Sequence, residues 1–387
     1  MKLLVVARVN FNPAVTRWIN RLQTLGVTVR CLHIGSAADL GAAAAKLPAP
    51  VHYLFPPGED RKPNLIAMLG AYRDVVRREA PDAVWVFCLW TLVIPLAWVL
   101  RWHRLPLILT VCGSDFNNGV KSFRQRQLFR HLLGLCSLVC TTTPEMMAHV
   151  GELIALPSER RLVLHWGIDV DMFRPAADEE RLALRAKWGI PAEAFVVFTG
   201  RIFRPIAYYE EAVSALAKLA AMPCGPAVRA IFVNWASDAA VVEQVERRIG
   251  ECGLRDSVVV IDRELDGPEL REIYAISDVT LNLMKQDQLG SMLFEAMAVD
   301  SLIVTTDLPQ YVRVGGEGVR WWFVRRTSVE ADLLAVLAEQ RADIAAARVR
   351  AVEHNRKFVR SEYDFALRSR EFVEQVEMTV QREAARA

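Results

Sequence analysis

Short apolar runs alternate with amphipathic helical segments along the amino-terminal part of the chain, and this alternation constrains the fold most strongly. Strands that are apolar on both faces are typical of parallel sheets covered by helices. The pattern therefore predicts an α/β domain. Its apolar runs include KLLVVARV at residues 2–9, VTVRCLHIG at 27–35, AVWVFC at 83–88 and PLILTVCG at 106–113.

The same alternation begins again in the second half of the chain, from AFVVFTG at residues 194–200 to LIVTT at 302–306. We therefore expect a first domain over residues 1–172 and a second over 190–354. The charged segment 355–387 reads as a helical tail that packs back toward the first domain. Ligands of open α/β sheets bind beyond the carboxyl ends of the strands, so the active site is expected in a cleft between the two sheets.

Charge and cysteine content exclude several classes of protein. The chain has 387 residues, with 47 basic and 45 acidic side chains, and this balance argues against nucleic acid as a partner. Its seven cysteines form no CxxC pair or cysteine–histidine cluster, which favours a reducing cytoplasm and predicts no metal site. The first residues, MKLLVVARVNF, are too short and too soon interrupted for a signal peptide.

Residues 83–100, AVWVFCLWTLVIPLAWVL, are the most apolar stretch, and only Thr91 is polar. A run of this length could cross a bilayer. Pro95 inside the run and Asp82 before it favour a buried strand followed by a turn and a buried helix. We expect the strand and helix, with a membrane span as the alternative.

An acidic loop, MKQDQLGSMLFEAMAVD at residues 284–300, follows one of the later strands. A helix is predicted to begin near Ser291, and its free N–H groups would attract an anion. Gly290 would let the backbone approach that anion closely. Asp287 and Glu295 could accept hydrogen bonds from hydroxyls on either side, which suggests a nucleotide sugar. The alternative is a solvated loop aspartate and an ordinary helix glutamate.

The segment FEAMAVDSLIVTTDLP at residues 294–309 resembles the acidic signature of retaining glycosyltransferases with the GT-B fold, in particular glycosyltransferase family four. That signature has two glutamates, and Asp287 replaces the first of them. The resemblance implies an α/β fold of the GT-B type, with two Rossmann-like domains whose parallel sheets face a central cleft. Four further segments resemble the family in the same order: TVCGSD at 110–115, LHWGIDVDMFRP at 164–175, VVFTGRIFRP at 196–205 and ELREIYAISDVTLNL at 269–283.

The resemblance implies roles for residues of the second domain. Glu295 would bind the ribose hydroxyls of the donor, and Asp287 the hydroxyls of the transferred sugar. Arg201 would pair with the diphosphate, whose geometry a planar guanidinium matches. The family usually has a lysine where this chain has Ile206, and Arg204 is the nearest cation able to replace it. Backbone amides would hold sugar and phosphate oxygens at Leu289, Gly290, Ser291, Met292 and Leu293.

In the first domain, the resemblance implies that the loop Cys112, Gly113, Ser114 and Asp115 faces the donor sugar. The family often has a histidine before the Gly-Ser-Asp sequence. Because cysteine is a poor hydrogen-bond donor, the sugar contact would move to Asp115 or Ser114, or be lost. Asn10 begins NFNPAV, which stands in place of a glycine-rich loop, so the acceptor pocket is expected to differ from that of many relatives.

Three further signals leave alternatives open. Arg263 lies where relatives approach the nucleobase, and it fits a surface arginine equally well. The pair Asp169 and Asp171 invites a metal, but its setting in WGIDVDMF argues against one. The basic amphipathic stretch Lys121–His131 could lie on the inner face of an anionic membrane or could be a solvated helix.

These observations together predict a glycosyltransferase that transfers a sugar from a nucleotide sugar to a hydroxyl acceptor, and the resemblance implies that the anomeric configuration is retained. The acceptor would be a glycan, a lipid-linked molecule or a small molecule, and the setting cytoplasmic biosynthesis of cell-surface glycans. No cofactor or metal is expected. The alternatives are a nucleotide-sugar epimerase, with Asp115 as its candidate catalytic group, and a non-catalytic partner protein, which Ile206 and Cys112 suggest.

Overall fold

The computed structural model describes residues 1–7, 13–34, 49–54 and 64–386. The chain divides into two compact units. Unit 1 contains Met1–Trp166 together with Ala366–Ala387, and unit 2 contains Gly167–Phe365. The chain therefore enters unit 2 after Trp166 and returns to unit 1 after Phe365. The sequence analysis placed the ends of the two domains at residues 172 and 354 instead.

Unit 1 contains a parallel sheet of seven strands in the described residues, in the order β3-β2-β1-β4-β5-β6-β7. The direction in which strands are added reverses between β1 and β4, as in Rossmann-like sheets. The strands are β1 (Lys2–Ala7), β2 (Thr28–His33), β3 (Val51–Tyr53), β4 (Ala83–Phe87), β5 (Leu107–Val111), β6 (Leu138–Thr141) and β7 (Arg161–Val163).

Helices cover this sheet, and polar residues begin several of them. Asn64 accepts a hydrogen bond from the Ala67 N–H, and Thr143 accepts one from the Met146 N–H, so each satisfies an amide of the first turn. In the part of unit 1 that the structure describes, the helices before residue 167 are α1 (Pro13–Thr24), α2 (Leu65–Glu79), α3 (Ile94–Trp102), α4 (Ser114–Gly119), α5 (Phe123–Leu135) and α6 (Pro144–Leu153).

Unit 2 contains a parallel sheet of six strands in the order β10-β9-β8-β11-β12-β13, with the reversal between β8 and β11. The register of β8 against β9 shifts between Thr199 and Ile202, which is a β-bulge near the end of β8. The strands are β8 (Phe195–Ile202), β9 (Val228–Val233), β10 (Val258–Ile261), β11 (Val279–Asn282), β12 (Leu302–Thr306) and β13 (Trp322–Val324).

The helices of unit 2 bury a continuous aliphatic and aromatic core against this sheet. One of them begins at a capping box, in which Asp266 and Glu269 accept hydrogen bonds from each other's backbone N–H. The helices are α7 (Asp178–Lys187), α8 (Tyr209–Ala221), α9 (Ala239–Glu251), α10 (Gly267–Ile276), α11 (Ser291–Ala298), α12 (Pro309–Gly316), α13 (Val329–Ala342) and α14 (Ile344–Glu362).

The last helix, α15 (Phe365–Arg386), completes the core of unit 1. Its Phe372 ring lies 4.7 Å from the Trp85 ring and 5.4 Å from the Trp18 ring, measured between centroids. Arg382 also donates to the Ser137 carbonyl at 2.8 Å. The charged tail is thus an amphipathic helix whose aromatic face is buried against β4 and α1.

The most apolar stretch of the sequence folds as strand and helix, which confirms the first interpretation. Residues 83–87 form β4, a 3₁₀ turn covers Thr91–Val93, and α3 begins at Ile94. Within the described ranges, no helix combines the length and apolarity needed to cross a bilayer.

Candidate functional site

The carboxyl ends of β8 and β11 meet where the strand order of unit 2 reverses. Arg201 lies in the bulged end of β8, and the acidic loop follows directly after β11. Ligands of open parallel sheets bind at such a reversal. The topology therefore brings together two sequence segments that are more than eighty residues apart, as the hydrogen bond between Arg201 and Asp287 shows.

Arg201 and Asp287 form an ion pair at this edge. The Arg201 Nη2 to Asp287 Oδ2 distance is 2.6 Å, and Arg201 Nε donates to Asn282 Oδ1 at 3.2 Å. Burial lowers the pKa of Arg201, but the charges of Asp287 and of the surrounding tyrosines together outweigh this effect, and the net shift is upward. The arginine is therefore a permanent positive charge with a fixed direction.

Two buried polar side chains hold the ion pair. The Tyr311 hydroxyl donates to Asp287 Oδ2 at 2.5 Å and accepts from Asn282 Nδ2 at 2.7 Å. Burial, and then the charge of Asp287, raises the pKa of Tyr311 well above its usual value, so the hydroxyl remains a donor. Gln310 donates to the Asp287 backbone carbonyl at 2.6 Å. Asn282, Tyr311 and Gln310 form a support that the sequence did not predict.

Gly290 leaves room for the Arg201 guanidinium because it has no side chain. A Cβ added at Gly290 would overlap the Arg201 guanidinium, with Cζ only 2.8 Å away. The Gly290 N–H also donates to Asp287 Oδ2 at 3.0 Å. The preceding residue, Leu289, has a φ of +58°, a left-handed conformation that is uncommon for leucine. The sequence analysis predicted that an anion approaches the backbone closely at Gly290. In the structure, the group that approaches Gly290 closely is the Arg201 side chain of the same site.

Helix α11 begins at Ser291, as the sequence predicted, and among the described residues no side chain caps its amino terminus. Of the five predicted amides, the Leu293 N–H donates to the Gly290 carbonyl at 3.2 Å. The amides of Ser291 and Met292 lie in the first turn, at the positive end of the helix dipole. This end of the helix and the Arg201 guanidinium both flank Gly290, so two features that attract anions converge there.

Glu295 lies one turn into α11 and is buried, with a relative exposure of 8%. The Tyr274 hydroxyl donates to Glu295 Oε2 at 3.3 Å. Burial, and then the Glu295 charge, raises the pKa of Tyr274 well above its usual value. The carboxylate is thus held by a tyrosine, in a setting different from that of the solvated helix glutamate considered as the alternative.

The remaining predicted cations of unit 2 lie in different surroundings. Arg204 is exposed, beyond the end of β8. Arg263 forms a two-pronged ion pair with Glu269, at 2.7 and 2.8 Å, beside the start of α10. Lys285, which the sequence analysis did not consider, donates its N–H to the Ile206 carbonyl at 2.8 Å. Its ammonium lies 5.1 Å from the centre of the Tyr208 ring.

The predicted sugar loop of unit 1 follows β5, and its carboxylate is engaged by backbone amides. Asp115 accepts from the N–H groups of Leu89 at 2.6 Å, Phe116 at 2.9 Å and Cys112 at 3.0 Å. Burial raises the pKa of Asp115, and these hydrogen bonds offset part of the rise. Gly113 has a φ of +100°, and Ser114 begins α4. Asn10 lies outside the described residues.

The aspartate pair and the basic stretch that the sequence singled out lie in a turn and a helix, respectively. Asp169 Oδ1 accepts from the N–H groups of Asp171 at 3.1 Å and Met172 at 2.9 Å, so it closes a turn. Most of Lys121–His131 forms the first part of α5, whose Phe129 is buried while Phe123 is 78% exposed.

Comparisons with known families agree with this arrangement. Residues 11–167 match the family described as glycosyl transferase 4-like domain, and residues 180–357 match the family described as glycosyl transferases group 1. The chain belongs to the group 1 glycosyltransferases. Among curated proteins, the search finds no match for this glycosyltransferase.

Solved structures share the GT-B fold with this glycosyltransferase at low sequence identity. HepE of Anabaena, in complex with UDP and glucose, is 16% identical with a TM-score of 0.80, and the match covers 98% of this chain and 100% of HepE. A glycosyltransferase of Rickettsia africae is 15% identical with a TM-score of 0.81, covering 98% of both chains. UDP-GlcNAc 2-epimerase of Neisseria meningitidis is 13% identical with a TM-score of 0.63, covering 98% of this chain and 100% of the epimerase.

Proposed function

We propose that this glycosyltransferase transfers a sugar from a nucleoside diphosphate sugar to a hydroxyl acceptor, with retention at the anomeric carbon and without a metal. The observation that carries the proposal is the convergence of Arg201 and the uncapped amino terminus of α11 on Gly290. A nucleoside diphosphate carries its charge on the group that leaves, and fixed donors that stabilise a leaving charge contribute strongly to catalysis. Arg201 and the Ser291 and Met292 amides are such donors.

The proposed reaction breaks the bond between the anomeric carbon and the diphosphate oxygen, and that oxygen keeps the electron pair. The acceptor oxygen then bonds to the anomeric carbon on the face that the diphosphate leaves. The acceptor proton passes to the departing diphosphate. Arg201 holds the diphosphate oxygens during this step, because its guanidinium is always charged and presents two parallel N–H groups.

The two carboxylates take different parts in this proposal. Asp287 Oδ2 accepts from Arg201, Tyr311 and the Gly290 amide, so we assign the sugar hydroxyl contact to its other oxygen, Oδ1. Glu295 accepts from the ribose hydroxyls. Asp287 thus contacts the sugar and also directs Arg201 toward the diphosphate.

A second cation would replace the lysine that the family has at position 206. Arg204 is the candidate from the sequence, and the structure adds Lys285, whose backbone bonds to Ile206. We propose that one of the two contacts the outer phosphate. Arg204→Gln and Lys285→Gln variants, compared at saturating donor, identify which one does.

The proposal is tested by incubating the purified protein with a panel of nucleotide sugars and hydroxyl acceptors in the presence of EDTA. UDP-glucose comes first in the panel because HepE has been solved with it. NMR of the product reports the anomeric configuration. A transferred sugar with the donor's configuration supports the proposal, and inversion contradicts the retaining part. Donor whose ring stereochemistry changes without acceptor indicates an epimerase.

Glu295→Gln is the matched variant for this assay, since it keeps the size of the side chain and replaces one acceptor oxygen by a donor. Lys218→Gln, on an exposed part of α8, is the control, because its side chain is 61% exposed. The donor KM should rise in the first variant and stay constant in the control. A wild-type protein that binds donors but turns none over supports the non-catalytic partner instead.

We also propose that unit 1 contacts an anionic membrane from the cytoplasmic side, which suits a lipid-linked acceptor in cell-surface glycan synthesis. Exposed aromatic and basic side chains support this: Phe123 on α5 is 78% exposed and Trp102 on α3 is 86% exposed. The Trp98 indole donates to His131 at 2.9 Å, which joins α3 to α5. A larger fraction of the wild-type protein than of the Phe123→Ser variant should sediment with vesicles that contain phosphatidylglycerol. Equal sedimented fractions of the two proteins would contradict the proposal.

A further inference from the structure

Two free cysteines face each other at the carboxyl edge of the unit 1 sheet. Cys88 follows β4 and Cys112 follows the neighbouring strand β5. Their Sγ atoms lie 2.9 Å apart, and both side chains are partly exposed. Of the other cysteines, Cys31, Cys136 and Cys140 are buried. The Cys88–Cys112 pair is therefore within reach of a small solute.

The backbone geometry suits a covalent bond between these two residues. Phe87 pairs with Thr110 in the parallel register, so Cys88 and Cys112 are one step out of register on adjacent strands. Such diagonal neighbours have Cα atoms about 6 Å apart, which lies within the range that disulfides span. Cys88 also has a φ of +75°, a conformation that a cysteine adopts at a cost and that concentrates at functional sites.

A metal ion fits this cluster less well. The ligand atoms of Cys88, Cys112 and Asp115 lie within 4.8 Å of one another. Two thiolates on one tetrahedral zinc ion would be about 3.8 Å apart, because each Zn–S bond is about 2.3 Å long. The observed sulfur separation is shorter by almost an ångström. Both Asp115 oxygens also accept backbone hydrogen bonds already.

We propose that Cys88 and Cys112 form a reversible disulfide by exchange with a small-molecule disulfide such as oxidised glutathione. The Cys88 thiolate attacks one sulfur of the small disulfide, which releases one thiolate and leaves a mixed disulfide on Cys88. The Cys112 thiolate then attacks the Cys88 sulfur and releases the second thiolate. The two protein thiols are oxidised, the small disulfide is reduced, and the two protons end on the two released thiols.

The surroundings of Cys112 are consistent with this order of attack. The hydrogen bond with Cys88, followed by burial, raises the pKa of Cys112 well above its usual value. Cys112 therefore keeps its proton while Cys88 is free. Once Cys88 is in a mixed disulfide, its hydrogen bond and charge no longer raise the pKa of Cys112, although burial and the Asp115 charge still do, so the Cys112 thiolate forms at a lower pH than before.

The test uses the full chain incubated with oxidised glutathione, denatured in N-ethylmaleimide, and digested with trypsin without reduction. Cleavage after lysine and arginine places the two residues in separate peptides, 79–101 and 105–121, each with one cysteine. We expect these peptides to be joined, with a mass two hydrogens below their sum, and to separate on reduction. The expected yield is at least ten times that of any other cysteine pair.

Cys224→Ser is the control variant, because Cys224 is exposed and lies in unit 2. It should keep the link between 79–101 and 105–121, whereas Cys88→Ser and Cys112→Ser should each abolish it. In the wild type, a glutathione adduct on Cys224 shows that the oxidant has reacted. Under that condition, maleimide on both Cys88 and Cys112 would overturn the proposal.

Discussion

The carboxyl edges of the two sheets have the same topology but opposite chemistry. In unit 2, the reversal of strand order brings together Arg201, Asp287 and the open start of α11. In unit 1, the comparable loop contains Asp115, whose carboxylate accepts three backbone N–H groups from two loops. Our proposal assigns the charged groups of the first edge to a ligand, whereas the Asp115 carboxylate at the second edge joins two loops of its own unit.

This difference separates two kinds of carboxylate. Asp287 is held by side chains that could rearrange around a ligand, and one of its oxygens is assigned to the sugar. The Asp115 carboxylate already accepts main-chain N–H groups, so replacing one of its acceptor oxygens should affect folding before it affects binding. The sugar contact predicted for Asp115 stays a prediction, and the structure adds a structural role beside it.

The largest expected effect is on turnover in Arg201→Gln, which removes the charge that stabilises the leaving diphosphate. Loss of one such donor typically lowers kcat by about 100- to 1000-fold. The measurement is kcat with the best donor from the panel. Lys218→Gln should keep wild-type turnover, and an Arg201→Gln variant within about threefold of wild type would remove the proposed role.

Gly290→Ala tests the unit 2 edge by changing a backbone position that contacts Arg201. The added methyl group would displace the Arg201 guanidinium from its hydrogen bonds with Asp287 and Asn282. We expect kcat to fall by about 10- to 100-fold, since small displacements of positioned groups have effects of this size. Thermal unfolding should shift little, because the glycine φ is negative. Gly316→Ala, at a helical position with open space, is the matched control.

Asp115→Asn and Asp287→Asn should differ in what they change. Asp115→Asn should lower the free energy of unfolding by about 2 kcal/mol, because an amide group replaces an acceptor of backbone N–H groups. Asp287→Asn should change stability less and lower kcat/KM more. Urea unfolding and steady-state kinetics measure both quantities. Our assignment of the two edges would be wrong if both variants lost the same free energy of unfolding and Asp115→Asn had the lower kcat/KM.

The smallest effect concerns pH. The pKa of Asp115 is raised in the folded state by burial. The folded protein therefore binds this proton more tightly than the unfolded chain, and the associated stability is fully present below the unfolded value of about 3.9. It is lost as pH rises through the folded pKa. The stability advantage of wild type over Asp115→Asn should thus shrink as the pH rises above about 4, and an advantage that grows would show a lowered pKa.

The sequence was sufficient to predict those parts of the fold and the site that depend on local sequence patterns. Apolar strands predicted both parallel sheets, and residues 83–100 were placed as strand and helix rather than as a span. Ser291 was predicted as the start of α11 because a glycine precedes an apolar helical pattern. The placement of Arg201 and the acidic loop at one donor site rested on the family resemblance.

The sequence was insufficient where the contact depends on tertiary structure. Tyr311 belongs to α12, and nothing in PQYVRVGG indicates that its hydroxyl reaches Asp287. Lys285 was overlooked because its link to Ile206 is a backbone bond between two loops. Cys88 and Cys112 are twenty-four residues apart, and only the pairing of β4 with β5 brings their sulfur atoms together.

The central claim is that the carboxyl edge of the unit 2 sheet binds a nucleoside diphosphate through Arg201 and the start of α11. Calorimetric titration of the wild type and Arg201→Gln with nucleoside diphosphates, in EDTA, tests it most directly. We predict that one diphosphate binds the wild type and that the variant binds it at least tenfold more weakly. Equal affinity in the two proteins, or binding only when a divalent metal is added, would contradict the account.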